Sequence, residues 1–387
     1  MLFFFIFMVL NRRHVVIKII FSLKAVTPLF MTGANDSICE FRSSSLKGCI
    51  RYWFRAIYPH LLSQESRLFG STDQRSPLII RARVIREKIV KKGEPRWHKN
   101  GIVYLGYGIL KKKFSEKTFY DIGSMFELEL GFKRSLSADD QVKILSSVWA
   151  LFMFAGIGSR SRRGFGAIRV VDIQDKNQLC DQLPSFRFRN REEWVSATRK
   201  FLDSIQIANK EFQHTAFGKD MQLIAMKQKT TAIDILNNIG ESFQSFRSYI
   251  KERQYPEDRD LMLDYLNNRE TPNLAPSRSA FGLPHNYFFP IKPRKKSGNV
   301  DIMDNSENNQ RPQKGRRGSP LFIHVQEFEN NTACGLFLFL PAPLIPKGQK
   351  ITLSGSGVRP CKVKAPDFSA VTKYLNHLLK KGGEQIK

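Results

Sequence analysis

Within the first 175 residues, stretches with a hydrophobic period near two and stretches with a period near 3.6 alternate in the order β-α-β-β-α-β, and few folds accept that order. HVVIKIIFSLKAV (14–26) reads as a strand, rich in Val, Ile and Phe and stopped at Thr27-Pro28. Ser44 or Ser45 is placed to cap the helix LKGCIRYWFRAIY, whose Leu46, Ile50, Phe54 and Ile57 form an apolar stripe. LIIRARVIREKIV (78–90) reads as a strand, and further β stretches are expected at 101–110 and at about 118–131. Ser137 to Asp140 is an S-x-x-D capping box. It opens a helix carrying Val142, Leu145, Val148, Trp149, Phe152 and Met153 that stops at Gly156, and AIRVVDI (167–173) closes the unit. With its decorations between the second and third strands, this is the split βαβ arrangement of a ferredoxin-like α+β domain.

A chain of 387 residues, 42% apolar with 31 Phe, has material for two cores, and we divide it at 1–175 and 176–387. Residues 176–190 read as a linker and 190–270 as two or three helices. The polar run 291–318 reads as a loop. SPLFIHVQEF and ACGLFLFLP form two strands bent at Asn330-Asn331, and 367–381 is an amphipathic helix with lysines at its negative end.

The charge is lopsided: 62 Lys and Arg against 35 Asp and Glu, a formal +27. Such a chain is drawn to polyanions, either nucleic acid or anionic lipid. Five scattered cysteines without a C-x-x-C pair point to a reducing cytoplasm rather than a disulfide framework. The opening MLFFFIFMVL is half the roughly 20 residues a membrane span needs, and it lacks the flanks of a signal peptide. An extended strand or a start at Met8 accounts for it, and no membrane partner is expected. The seven histidines show no i, i+4 pair and no carboxylates are paired for two-metal work, so neither a metal nor another cofactor is expected.

Two constellations suit phosphate. Gly156-Ile-Gly158-Ser-Arg160-Ser-Arg162-Arg163-Gly164-Phe-Gly166 crowds four glycines and three arginines between a helix and a strand. Glycines let main-chain amides approach phosphate, and guanidinium groups add forked donors. The alternative is an ordinary connection, in which three crowded cations repel one another with nothing to hold. In the first helix Lys47, Arg51 and Arg55 stand at i, i+4, i+8 as a cationic stripe able to follow a phosphate backbone, with Trp53 and Tyr52 available to stack on bases or to fill a core. From Arg81 to Lys117 the chain holds twelve Lys or Arg against three Glu, interleaved with Trp97, Tyr104 and Tyr107. Arg316-Arg317 heads a strand as a further basic site. His14 is the one candidate general base for a metal-independent endoribonuclease, the alternative reading.

The pieces VTPLFMTGAN (26–35), EFRSSSLKGCIRYWFRA (40–56), RLFGST (67–72), GIGSRSRRGFGAI (156–168), AFGLP (280–284) and RRGSPLFI (316–323), taken together and in this order, resemble the RAMP superfamily of CRISPR RNA-binding proteins, in particular subunit one of the Cmr-type (type III-B) effector complex. The resemblance implies two ferredoxin-like βαββαβ modules with helical and hairpin insertions, and a non-catalytic place in a ribonucleoprotein with other Cmr-type subunits, guide RNA and target RNA. It further implies a position near the 3′ end of the guide, where the subunit helps capture target. Carried over by position, the RNA-contacting set is Arg42, Ser44, Lys47, Arg51 and Arg55, then Arg160, Arg162 and Arg163, to which Trp53, Gly158, Gly164, Arg316 and Arg317 are added as candidates. The apolar decapeptide and the polar 294–315 loop depart from the family pattern.

Overall fold

The computed structural model describes residues 17–35, 37–94, 99–111, 114–207, 209, 212–227, 230–248, 254–290, 295–303, 314–345 and 349–387; the decapeptide, His14 and Trp97 lie outside the described residues. Strand β1 (Ile17–Ala25) leads to helix α1 (Ser43–Ile57), the short α2 (Glu65–Phe69) and β2 (Leu78–Arg86). A decoration of β3 (Ile89–Val90), α3 (Asn100–Leu105) and β4 (Phe119–Tyr120) follows, and β5 (Met125–Phe132), α4 (Ala138–Phe154) and β6 (Ile168–Asp175) complete the unit. The sheet runs β2-β5-β1-β6 with antiparallel neighbours, the ferredoxin-like order. β1 alternates as its sequence does: Ile19, Phe21, Leu23 and Ala25 are buried, and Lys18, Ser22 and Lys24 lie on the opposite, less buried face, where Lys24 is ion-paired to Glu327 at 2.8 Å.

α1 buries Leu46, Ile50, Phe54 and Ile57 as its spacing predicts, each worth about 1.5–3 kcal/mol of transfer free energy. Its cap differs from expectation. Arg42 is the N-cap residue and makes no side-chain cap bond; Ser44 is exposed in the first turn. Ser43 instead accepts the Ala82 amide of β2 at 3.1 Å, tying the helix start to an edge strand. The Ser137–Asp140 capping box forms in both directions, and Asp140 also holds the Arg67 guanidinium at 2.7 and 2.8 Å. That partner holds the Asp140 carboxyl down to about 2, and it gives the RLFGST segment a structural task.

After α5 (Arg191–Ser204), β7 (Gln222–Ala225) opens a second unit with α6 (Ala232–Arg247). An insertion of α7 (Pro256–Leu266), β8 (His285–Phe289), β9 (Lys296–Met303) and β10 (Lys314–Gly315) precedes β11 (Leu321–Glu327) and β12 (Ala333–Phe339). β13 (Lys350–Gly355) and β14 (Val358–Val363) come before α8 (Ser369–Lys380) and β15 (Glu384–Gln385). The order β11-β12-β7-β15 repeats that of the first sheet, so the chain holds two ferredoxin-like units; the insertions build a sheet of their own around β9 and β13.

Three local expectations are corrected. Residues 101–110 begin with a helix, because Gly101 of α3 packs backbone to backbone on Gly240 of α6: a Cβ at Gly240 would lie 2.1 Å from the Gly101 carbonyl oxygen. The polar 291–318 run contains β9, whose buried Val300 and Ile302 are an alternation only two residues deep. The 176–190 connection is no loose linker, since Phe186 and Phe188 join the first core.

β11 and β12 are buried at every position because both faces are covered. Ile323, Val325, Phe337 and Phe339 pack with α6 and α8, whereas Phe322, Leu336 and Leu338 join the first unit's core.

Candidate nucleic-acid interface

The cationic stripe of α1 is real but not bare. Arg55 donates from Nε and Nη2 to the carboxylate of Glu65 in α2 at 2.6 and 2.7 Å, and Arg51 donates to the same carboxylate; Glu65 is only 6% exposed. One buried carboxylate thus relieves the like-charge repulsion that the i, i+4 spacing creates. Glu65 lies ten and fourteen positions from its partners, too far for helical periodicity to reveal. Lys47 keeps no such partner among the described residues; burial and then Arg51 lower its pKa. Trp53 is not a stacking platform: it is 1% exposed, with the rings of Phe322, Phe154 and Phe217 at 5.5, 5.9 and 6.1 Å, which leaves no face for a base.

The glycines of the 156–166 loop serve close packing. A Cβ at Gly156 would lie 1.9 Å from the Phe165 carbonyl oxygen, and one at Gly158 would lie 2.4 Å from that of Phe30. The Ile157, Ser159 and Gly166 amides are already given to the carbonyls of Gly166, Phe30 and Pro28 at 2.8–2.9 Å. Gly164 is buried against Leu236 and Ile323, with its carbonyl accepting from Thr27 Oγ1 at 2.7 Å. Gly164 is thus packed inside the fold, whereas Gly158 keeps part of its surface open. Folding the loop onto 28–31 and β11 leaves its arginine side chains at the junction of the two units.

Those side chains meet arginines from the second unit. Arg162 donates to the Ser319 carbonyl at 2.5 Å and lies over the rings of Phe322 and Tyr52 at 4.6 and 5.3 Å. Burial and then Arg162 lower the Arg317 pKa; burial and then Arg316 lower that of Arg160, an exposed residue that donates to the Tyr107 carbonyl. Burial and then Arg247 bring Arg163 down to about 10, with Arg160 adding to the effect. Arg316 is exposed, and among the described residues no carboxylate pairs with Arg160, Arg162, Arg163, Arg247, Arg316 or Arg317. The strand cations are different: Arg81 and Arg83 are paired with Glu129 and Glu127 across β2 and β5 at 2.6 and 2.8 Å.

Sequence reasoning missed the deep end of this band. Arg247 donates to the Tyr104 hydroxyl at 3.2 Å and lies over Phe243 and Phe281 at 4.9 and 5.0 Å. Arg278 is ion-paired to Asp258 at 3.2 Å and donates to the Arg247 carbonyl at 2.7 Å. His285 stacks on Tyr287 at 4.9 Å, its pKa pushed well down by burial and then by Arg247, Arg278 and Arg163. The AFGLP segment was the available signal: it lies between Arg278 and His285, and Leu283 exchanges backbone hydrogen bonds with Arg317 at 2.9 and 3.0 Å. Tyr107, 73% exposed beside Arg160, is the open aromatic here. Among the described residues no His, Cys, Asp and Glu group could hold a metal ion, and no helix is long and apolar enough to cross a membrane.

Residues 22–169 match the RAMP superfamily. The Pyrococcus furiosus protein named CRISPR system Cmr subunit Cmr1-2 is 33% identical over 188 residues, 40% of this chain and 96% of that relative. Cmr1-1 of the same organism is 28% identical over 174 residues, 42% of this chain and half of that relative. Among solved structures, apo Cmr1 from Pyrococcus furiosus aligns with a TM-score of 0.56 at 17% identity, covering 95% of this chain and 98% of that one. A chain of the type III-B Cmr-beta assembly bound to cognate target RNA and AMPPnP aligns with a TM-score of 0.53 at 14% identity, covering 94% and 99%.

Proposed function

This chain belongs to the RAMP superfamily as a member of the Cmr1 family of type III-B CRISPR subunits, and we propose that it is a non-catalytic RNA-binding subunit of such a ribonucleoprotein, contacting guide and target RNA near the 3′ end of the guide and other Cmr-type subunits. The observation that carries this reading is the arginine band across the junction, without carboxylate partners among the described residues. Cations gathered without counter-ions are stable beside a polyanion and poorly stable alone. The contacting set is Arg160, Arg162, Arg163, Arg316 and Arg317, extended along α1 by Arg42, Lys47, Arg51 and Arg55. Guanidinium contacts of this kind read the backbone, so base identity is left to guide pairing. The division near residue 176 gives the first unit the glycine-arginine loop and α1, and the second unit the opposing Arg316 and Arg317.

Salt dependence tests it. Each phosphate contact on a single strand contributes about −0.7 to the slope of log affinity against log salt, so replacing Arg160, Arg162 and Arg316 with Ala flattens the slope by about two. Replacing Lys47, Arg51 and Arg55 flattens it less, because Glu65 already holds two of those groups. Fluorescence anisotropy with single-stranded RNA over a salt series measures both, and a slope that the first triple variant leaves untouched refutes the assignment.

A further inference from the structure

Arg163 and Arg247 press on one another electrostatically, yet among the described residues neither has a carboxylate partner. Asp258 offsets Arg278, so two positive charges stay unmatched where protein walls displace water. A site like this is incomplete in charge. It is also incomplete in hydrogen bonding, for Arg247 Nε is buried with no acceptor, and buried donors left unmet are rare.

The geometry is set before anything binds. Phe243, Phe281 and the Tyr104 hydroxyl fix Arg247, while Asp258 and the Arg247 carbonyl fix Arg278. Arg163 and His285 each keep a minor part of their surface exposed, so the arginine cluster is reachable from solvent. Rigid guanidinium groups lose little freedom on binding and match the spacing of phosphate oxygens.

We propose that the crevice formed by Arg163, Arg247 and Arg278, walled by His285 and Tyr104, is a pocket for one phosphate group. Five segments from both units meet in it: the glycine-arginine loop, the end of α3, the end of α6, the Ser277–Phe281 turn and the start of β8. Occupancy therefore clamps the two units together. The group comes either from a phosphodiester of a bound strand or from a free phosphoryl ligand; only the first rests on the RNA reading above.

The test uses the full chain and the variants R163Q and R247M, the second keeping an apolar stem between the two phenyl rings. Thermal unfolding is followed in sodium phosphate and in sodium chloride of matched ionic strength, and affinity for single-stranded RNA is measured in parallel. We expect phosphate to raise the melting temperature of the unaltered protein by about 2–4 °C and to leave both variants unmoved. In chloride the variants melt no lower than the parent, because each loses an unmatched charge. Their RNA affinity falls by about tenfold if the phosphate is strand-borne and stays constant if it is free. A phosphate response and an RNA affinity that neither variant alters overturn the pocket. So does a melting temperature that drops in both variants with the phosphate shift intact, the mark of a purely structural role. If R247M does not fold, R163Q, at a position that keeps some surface exposure, carries the readout. Loss of the phosphate shift in these variants, with no change of salt slope in the Arg160, Arg162 and Arg316 variant, keeps the pocket and discards the RNA assignment.

Discussion

His324 lies in β11 at 1% exposure, and burial pushes its imidazole down to about 4, against about 6.5 in an unfolded chain. Between those values the unfolded state binds the proton and the folded state does not. Stability from this group is therefore complete above pH 6.5 and is lost as pH falls toward 4, a change of about 3 kcal/mol. His285 is depressed in the same direction, so it adds a loss of the same sign. Urea midpoints of the parent and of His324→Gln over pH 4 to 7 should diverge, the variant showing the flatter profile. Parallel profiles would mean that the imidazole is not the acid-sensitive group.

At the scale of elements, the contact between α3 and α6 joins the first unit's decoration to the second unit. Gly101 and Gly240 allow the two backbones to touch, and the Gly101 amide donates to Asn237 Oδ1 at 3.1 Å. Gly240→Ala improves helix propensity by about 0.5–1 kcal/mol, but its methyl group would enter the Gly101 carbonyl. Overpacking of this sort costs about 1–3 kcal/mol, and we expect the balance to be destabilising. Chemical denaturation measures it; a gain in stability would show that the helices part freely. The same contact carries Tyr104 to Arg247, so loosening it also opens the deep end of the arginine band.

At the scale of the molecule, the two units share one apolar core through Trp53, Phe154, Phe217, Phe322 and Leu336. Units joined in this way unfold together, and calorimetry should record one cooperative transition. Removing a buried aromatic ring costs about 3–5 kcal/mol, so Trp53→Ala should lower that transition as a whole. Two separated transitions in the parent protein, or a variant that shifts only one of them, would contradict a common core.

The order of hydrophobic periods was enough to read the first ferredoxin-like unit, its α1 stripe and the α4 capping box, because each depends on residues within a turn or a strand of one another. The second unit and its insertion were harder to see: β7 has four residues, and β9 of the inserted sheet carries its alternation inside a polar run, so local pattern is faint where neighbouring strands supply the burial. The loop's arginines were visible in the sequence, but the work of its glycines was not, since those pack against Phe30, Leu236 and Ile323 from elsewhere in the chain. Glu65 beneath Arg51 and Arg55, Trp53 between the units, and Arg247 with Arg278 behind Arg163 are likewise decided by the tertiary fold. Charge acts through space, and residues more than eighty positions apart become neighbours only when the two units close on each other.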